Sequence, residues 1–163
     1  MFQEKPFGDK AFHGDEYLLR LVDYLMPQCI YFVETGVHRG DTFAYVAHHY
    51  SYRFAVGCEP NEGYLREAEA KVEGLINVET FPMTSQEFLP YIHEDNPCDC
   101  KRLYWLDAHG HDFDWPLAFE VEFVTSHYNK SFILIDDFQV PGKPQLYTDP
   151  GSRIQLHRDG SLS

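Results

Sequence analysis

Ile30-Tyr-Phe-Val-Glu34-Thr-Gly36-Val-His-Arg-Gly40-Asp41-Thr42 decides how this chain folds. Its first half is a short apolar run rich in aromatic and β-branched residues, the pattern of a buried strand, and it ends on one carboxylate, Glu34. The chain then passes through Gly36 and Gly40 into a segment of helical character, so the stretch reads as strand, tight turn and helix start. Glycine at 36 and 40 lets the backbone turn sharply and approach a ligand where a Cβ would obstruct it. In an α/β sheet such a loop is the natural seat of a nucleotide-like molecule.

Charge narrows the choice of ligand. A dinucleotide fingerprint spaces its glycines Gly-x-Gly-x-x-Gly and leaves a helix N-terminus open to a pyrophosphate. Here the spacing is Gly36-x-x-x-Gly40, and Asp41 at the helix start already satisfies the dipole with an anion, so a phosphate would be repelled. S-adenosylmethionine has no phosphate and carries a sulfonium and an ammonium that Glu34 would attract, directly or through water. The residues lean to that cofactor.

Upstream, residues 1–13 read as irregular, and Leu18, Leu19, Val22, Leu25 and Met26 share one face of a helix that starts near Asp15 and closes at Pro27. The first strand is expected over residues 29–34 and the helix after the glycine turn over 42–50, with His48 and His49 as its polar end. Residues 54–59 form a second strand that ends on Glu59, and Pro60-Asn61 starts a helix reaching Val72. Residues 76–81 form a third strand with Asn77 and Glu79 turned outward, Thr84-Ser85 caps a helix over 86–92, and residues 95–100 make a loop. Residues 103–107 are a fourth strand ending on Asp107, followed by a polar loop and a helix from Pro116 that shows Leu117, Val121 and Val124 on one face. Residues 131–137 are a fifth strand ending on Asp136 and Asp137. Five strands alternating with helices, without a sequence repeat, predict an α/β domain in which a doubly wound, mostly parallel sheet carries helices on both faces.

At 163 residues, with 44% hydrophobic and 16% aromatic residues, the chain is expected to form one domain with a real core: an N-terminal helical segment over 1–27, a binding core over 28–142 and a short tail over 143–163. Lys and Arg total 13 against 26 Asp and Glu, a formal charge of −13 with a pI near 4.9. That balance speaks against nucleic acid as a partner, because a phosphate backbone needs a positive footprint. No stretch approaches the roughly 18 apolar residues of a membrane span, and the N-terminus lacks a basic then apolar signal, so a soluble cytoplasmic protein with no membrane partner is expected. Cys29 and Cys58 read as buried reduced thiols. Cys98-Asp-Cys100 matches no zinc spacing and reads as a loop.

With these residues in place, the chain resembles the class I S-adenosylmethionine-dependent methyltransferases over residues 28–142, which implies a Rossmann-like sheet. The resemblance implies that Glu34, Thr35, Gly36 and Gly40 line the methionine part of the cofactor, with Thr42 among the binding residues. Glu59-Pro60-Asn61 matches the acidic residue after strand two that takes the ribose hydroxyls, and the segment from Phe81 to Pro90, through Thr84 and Ser85, resembles the border of the adenine. Trp105-Leu-Asp107-Ala-His109, followed by Trp115-Pro-Leu and Ile135-Asp-Asp-Phe, is similar to tailoring enzymes of the macrocin O-methyltransferase and cephalosporin hydroxylase-like groups. Methyl transfer to a small-molecule acceptor, most simply at oxygen, is what this implies. The family closes its sheet with an antiparallel strand pair, for which residues 139–163 leave little chain. That pair is expected to be short or missing, with an open edge that a second copy in a homo-oligomer could complete.

Glu34, Glu59, Asp107 and Asp136 all fall at strand ends, where ligands sit in a doubly wound sheet. Neighbouring strands four and five, about 4.8 Å apart, would bring Asp107, Asp136 and Asp137 onto one hard cation, with Mg²⁺ favoured by oxygen-only ligation. The resemblance implies the same three ligands, and Asp107 is counted with the cofactor-binding and catalytic residues as well. A hydroxyl acceptor must lose a proton, for which His109 is the first candidate base and His111 the second. Two other functions fit the residues: a non-catalytic S-adenosylmethionine-binding or assembly protein, and a metal-dependent hydrolase built on the Asp107–Asp112 cluster.

Overall fold

Among the described residues, five parallel strands form one sheet in the order β3-β2-β1-β4-β5. The structure is a computed structural model and describes residues 7, 10–95, 99–109 and 115–136. At the centre, β1 (Tyr31–Thr35) pairs with β2 (Phe54–Cys58) on one side and β4 (Arg102–Leu106) on the other. β3 (Val78–Phe81) lies outside β2, and β5 (Ser131–Ile135) lies outside β4. The chain steps outward from β1 to β3 and restarts on the other side of β1 at β4. Strand order therefore reverses between β1 and β4, and the space beyond their carboxyl ends is where such sheets seat their ligands.

Apolar residues on both faces of the central strands demand helices on both sides. Phe32, Ala55, Leu103 and Trp105 join one core with α1 (Glu16–Leu25), α2 (Asp41–His49) and, through Ala68, α3 (Glu62–Lys71). Val33, Cys58, Tyr104 and Leu106 join a second core with α4 (Ser85–Asp95) and α5 (Leu117–His127). Helix starts follow from side-chain caps: the Asp15 carboxylate accepts from the Tyr17 and Leu18 amides, and the Asn61 carbonyl accepts from those of Gly63 and Tyr64. At α4 the Glu87 carboxylate reaches back to the Thr84 amide and hydroxyl. Among the described residues β5 ends the sheet on that side, and it is half-buried along its whole length. Residues 137–163, and with them the expected closing strands and the completed edge, lie outside the described residues.

Two of these expectations change. Residues 11–14 are not irregular but form a 3-10 turn (Ala11–Gly14) whose Phe12 is fully buried. Asn77 does not point outward: the strand proper starts at Val78, so the alternation does not reach it, and its buried amide donates to the carbonyls of Ala47 and Arg53. Cys29 and Cys58 are buried free thiols as expected, burial raising Cys29 to about 11, and Cys100 lies in the expected loop and is disulfide-bonded.

Candidate functional site at the carboxyl ends of the strands

The loop after β1 is tied to the end of β2. Gly36 and Val37 both donate their amides to the Cys58 carbonyl at 3.0 Å. Glu59 is 8% exposed; its Oε2 accepts from the His38 amide and its Oε1 from the Asn61 amide, both at 2.9 Å. His38 is left-handed (φ 50), a conformation that costs a non-glycine residue about 1–2 kcal/mol. The charge-assisted bond to Glu59 offsets it. Burial also lowers the His38 pKa, against the opposing pull of Glu59.

Gly36 (φ +75) and Gly40 (φ +80) are left-handed as a turn requires, but the space a Cβ would need is taken by protein. A Cβ on Gly36 would lie 2.5 Å from the Asp107 carbonyl oxygen, and one on Gly40 would lie 2.5 Å from Ala68 Cβ. These glycines therefore have a packing reason that the sequence reading did not give: they let the β1 loop touch the β4 loop and α3. The charge argument at the helix start changes too. Asp41 is paired with Lys71 at 2.7 Å, so its negative charge is offset and no longer repels a phosphate strongly. Thr42 is taken up by structure, its Oγ1 accepting the Phe12 amide at 2.9 Å.

Beyond β4 and β5 the carboxylates meet as expected. The sheet ladder continues past the strands, with the Asp107 amide bonded to the Thr35 carbonyl and the Asp136 amide to the Leu106 carbonyl, so the two aspartates sit side by side. Trp105 Nε1 donates to Asp107 Oδ2 at 3.2 Å. Burial, the Asp136 charge and a shared hydrogen bond, and the nearby Glu34 all push the Asp107 carboxyl far up. Glu34 is 1% exposed, its Oε2 has no hydrogen-bond partner, and burial raises it well above the ordinary carboxylate range. His109 Nδ1 lies 2.9 Å from the Asp107 carbonyl oxygen, which makes Nε2 its basic nitrogen, and its ring meets Trp115 edge-on. Pro60 is exposed at the rim, Thr84 is half-buried and engaged by Glu87, and Ser85 is buried. His111 and Asp137 lie outside the described residues.

Two residues were missed in the sequence. His13 Nε2 lies 3.0 Å from Asp136 Oδ2 and 3.9 Å from Asp107 Oδ2, placed there by consecutive left-handed residues Phe12 and His13. No periodicity marks it. Glu120 is 1% exposed on α5, with Oε1 unpartnered, and burial raises it to about 7 while Ser85, Thr35 and His109 restrain the rise. The Thr35 hydroxyl that faces it makes no hydrogen bond of normal geometry. A signal existed here: Glu120 falls three residues after Leu117 and four before Val124, on the apolar stripe of its helix. A cavity of about 240 Å³, lined by both apolar and charged residues that include Tyr31, Phe54, Glu79, Tyr91, Asp95 and Arg102, lies against β1 to β3, away from the acids at the strand ends.

Solved structures share this architecture. The O-methyltransferase TomG from Streptomyces achromogenes, crystallised with S-adenosylmethionine, superposes with a TM-score of 0.63 at 16% identity over 83% of this chain and 59% of its own. An O-methyltransferase from Bacillus cereus, in complex with S-adenosylhomocysteine, gives 0.55 at 18% identity over 69% and 50%, respectively. The chain has the class I methyltransferase fold. An rRNA methylase from Streptococcus thermophilus shares this class I fold with a TM-score of 0.54 at 13% identity, over 76% of this chain and 74% of its own. The chain thus spans between half and three-fifths of the two O-methyltransferases. No protein-family model and no curated protein matches it. Among the described residues no helix is long and apolar enough to cross a membrane.

Proposed function

We propose that the protein binds S-adenosylmethionine beyond the carboxyl ends of β1, β2 and β4 and transfers its methyl group to a hydroxyl of a small molecule. One observation carries this: Glu34, the 36–40 loop and Glu59 converge where strand order reverses, in a fold whose solved examples include O-methyltransferases holding that cofactor or its demethylated product. The residues fit the guest. Glu34 is a buried carboxylate lacking a partner at Oε2, which a cationic group would supply. Each Glu59 oxygen accepts one amide and keeps acceptor capacity for ribose hydroxyls. Thr35, Gly36 and Gly40 shape the methionine end, Pro60 the ribose rim, and Thr84 and Ser85 the adenine side.

When bound, S-adenosylmethionine supplies a methyl carbon that bonds to the acceptor oxygen as its bond to sulfur breaks, the electron pair staying on sulfur. The chain's part is to align two reactants and exclude water. His109 Nε2 takes the hydroxyl proton, the imidazole being oriented by its Nδ1 contact with the Asp107 carbonyl. Asp107 and Asp136, with Asp137 as a further ligand, would hold a divalent ion such as Mg²⁺, which when bound lowers the pKa of the acceptor hydroxyl. The formal charge of −13 favours a small molecule over nucleic acid as acceptor.

Calorimetric titration with S-adenosylmethionine, with and without Mg²⁺, followed by assay of S-adenosylhomocysteine release with hydroxylated acceptors, tests the reading. Absence of cofactor binding ends it, and binding of metal alone points to the hydrolase. A second reading, a non-catalytic cofactor-binding protein, would bind S-adenosylmethionine and release no product with any acceptor.

A further inference from the structure

The N-terminal turn places a nitrogen beside the two aspartates. Nε2 of His13 and one carboxylate oxygen each from Asp107 and Asp136 lie within 4.8 Å of one another, which is the spacing of donors around one metal ion. Two further observations point to a cation there. Glu34, buried and unpartnered at Oε2, adds a third carboxylate within electrostatic reach of Asp107. His13 is 65% exposed at its side chain yet is directed at the acids by an anchored backbone: Phe12 beside it is fully buried against Phe32, Tyr45 and Trp105, and the Phe12 amide is held by Thr42. His109 also lies near Asp107 Oδ1, at 3.6 Å, but its Nδ1 is directed to the Asp107 carbonyl.

We propose that His13 is a ligand of the divalent ion held by Asp107 and Asp136, and that this nitrogen makes the site one for a borderline transition metal such as Mn²⁺ or Zn²⁺ in preference to Mg²⁺. The proposal rests on the reading of Asp107 and Asp136 as a cation site. Imidazole favours Zn²⁺, Fe²⁺ and similar ions, whereas Mg²⁺ takes oxygen donors and keeps much of its water. The tether has a structural consequence: an ion held by all three residues fastens the Ala11–Gly14 turn across the mouth of the β4 and β5 ends. The resident metal and the closure of the N-terminal segment would then be one property.

The test is calorimetry on the full chain with MnCl₂, ZnCl₂ and MgCl₂, using wild type, His13→Ala and Asp136→Asn, together with the imidazole nitrogen spectrum of the ¹⁵N-labelled protein on addition of diamagnetic Zn²⁺. Wild type is expected to bind Mn²⁺ and Zn²⁺ at least about tenfold more tightly than Mg²⁺, and His13→Ala to lose about tenfold or more for the first two with little change for Mg²⁺. Zn²⁺ is expected to shift the His13 Nε2 resonance. If His13→Ala binds all three ions as wild type does while Asp136→Asn binds none, the His13 proposal is overturned and the aspartate site stands. If wild type binds no ion, both fall.

Discussion

Glu59 and His38 are joined across 21 residues of chain by a 2.9 Å bond from the His38 amide to the Glu59 carboxylate. The acid that ends β2 thus holds the loop that follows β1 in its left-handed turn, and one side chain serves both the fold and the proposed ribose site. Glu59→Ala leaves the His38 and Asn61 amides without their acceptor, so a loss of about 1–3 kcal/mol in thermal or urea denaturation is expected, with cofactor binding abolished. Glu59→Gln keeps one acceptor and is expected to recover part of the stability but little of the affinity in calorimetry. Wild-type stability in the alanine variant would show that these bonds hold nothing.

Two glycines separate backbone strain from crowding. Gly74 (φ +83) has open space where a Cβ would go, whereas a Cβ on Gly36 (φ +75) would press on the Asp107 carbonyl. Gly74→Ala is expected to cost about 1–2 kcal/mol, the left-handed penalty alone. Gly36→Ala is expected to cost more than that, because backbone cannot retreat as a side chain does. Urea denaturation of the pair measures the difference, and equal losses would refute the contact between the β1 and β4 loops.

Glu120 gives a pH dependence with a definite sign. Its folded value near 7 lies above the ordinary 4.5, so the folded state favours the neutral acid. Its stability contribution is complete below about pH 4 and is lost as pH rises through 7, a difference of about 3 kcal/mol. Glu120→Gln mimics the neutral form, so it is expected to match wild type near pH 4 and to melt at a higher temperature above pH 8. Parallel melting curves across that range would contradict this account of Glu120.

Glu34 separates folding from binding. Burial raises its pKa and so favours the neutral acid in the unliganded protein, which Glu34→Gln mimics, so that variant is expected to change thermal stability little. Meeting a sulfonium or ammonium requires the ionised form, so cofactor binding is expected to release a proton and to tighten with rising pH, by up to about tenfold per pH unit. Calorimetry in buffers of different ionisation enthalpy counts that proton. Undiminished S-adenosylmethionine affinity in Glu34→Gln would remove Glu34 from the site.

Much of this was legible along the chain because it is local. The run before Gly36, the acids at 34, 59, 107 and 136 and the alternation of strands with helices determined five parallel strands with carboxylates at one rim, since apolar periodicity and turn chemistry act over a few residues. The choice of partners was not local. That Gly36 yields to the Asp107 carbonyl, that Lys71 offsets Asp41, and that Thr42 is spent on Phe12 depend on segments brought together only by the packed sheet. His13 is the clearest case: it sits 123 residues from Asp136, in a segment without periodicity, and reaches the acids because the burial of Phe12 fixes the turn that carries it. The sequence by itself determined which strand ends carry charge. The tertiary structure alone decided which of those charges meet, because a hydrogen bond or shared ligand depends on distances in space that chain spacing does not contain.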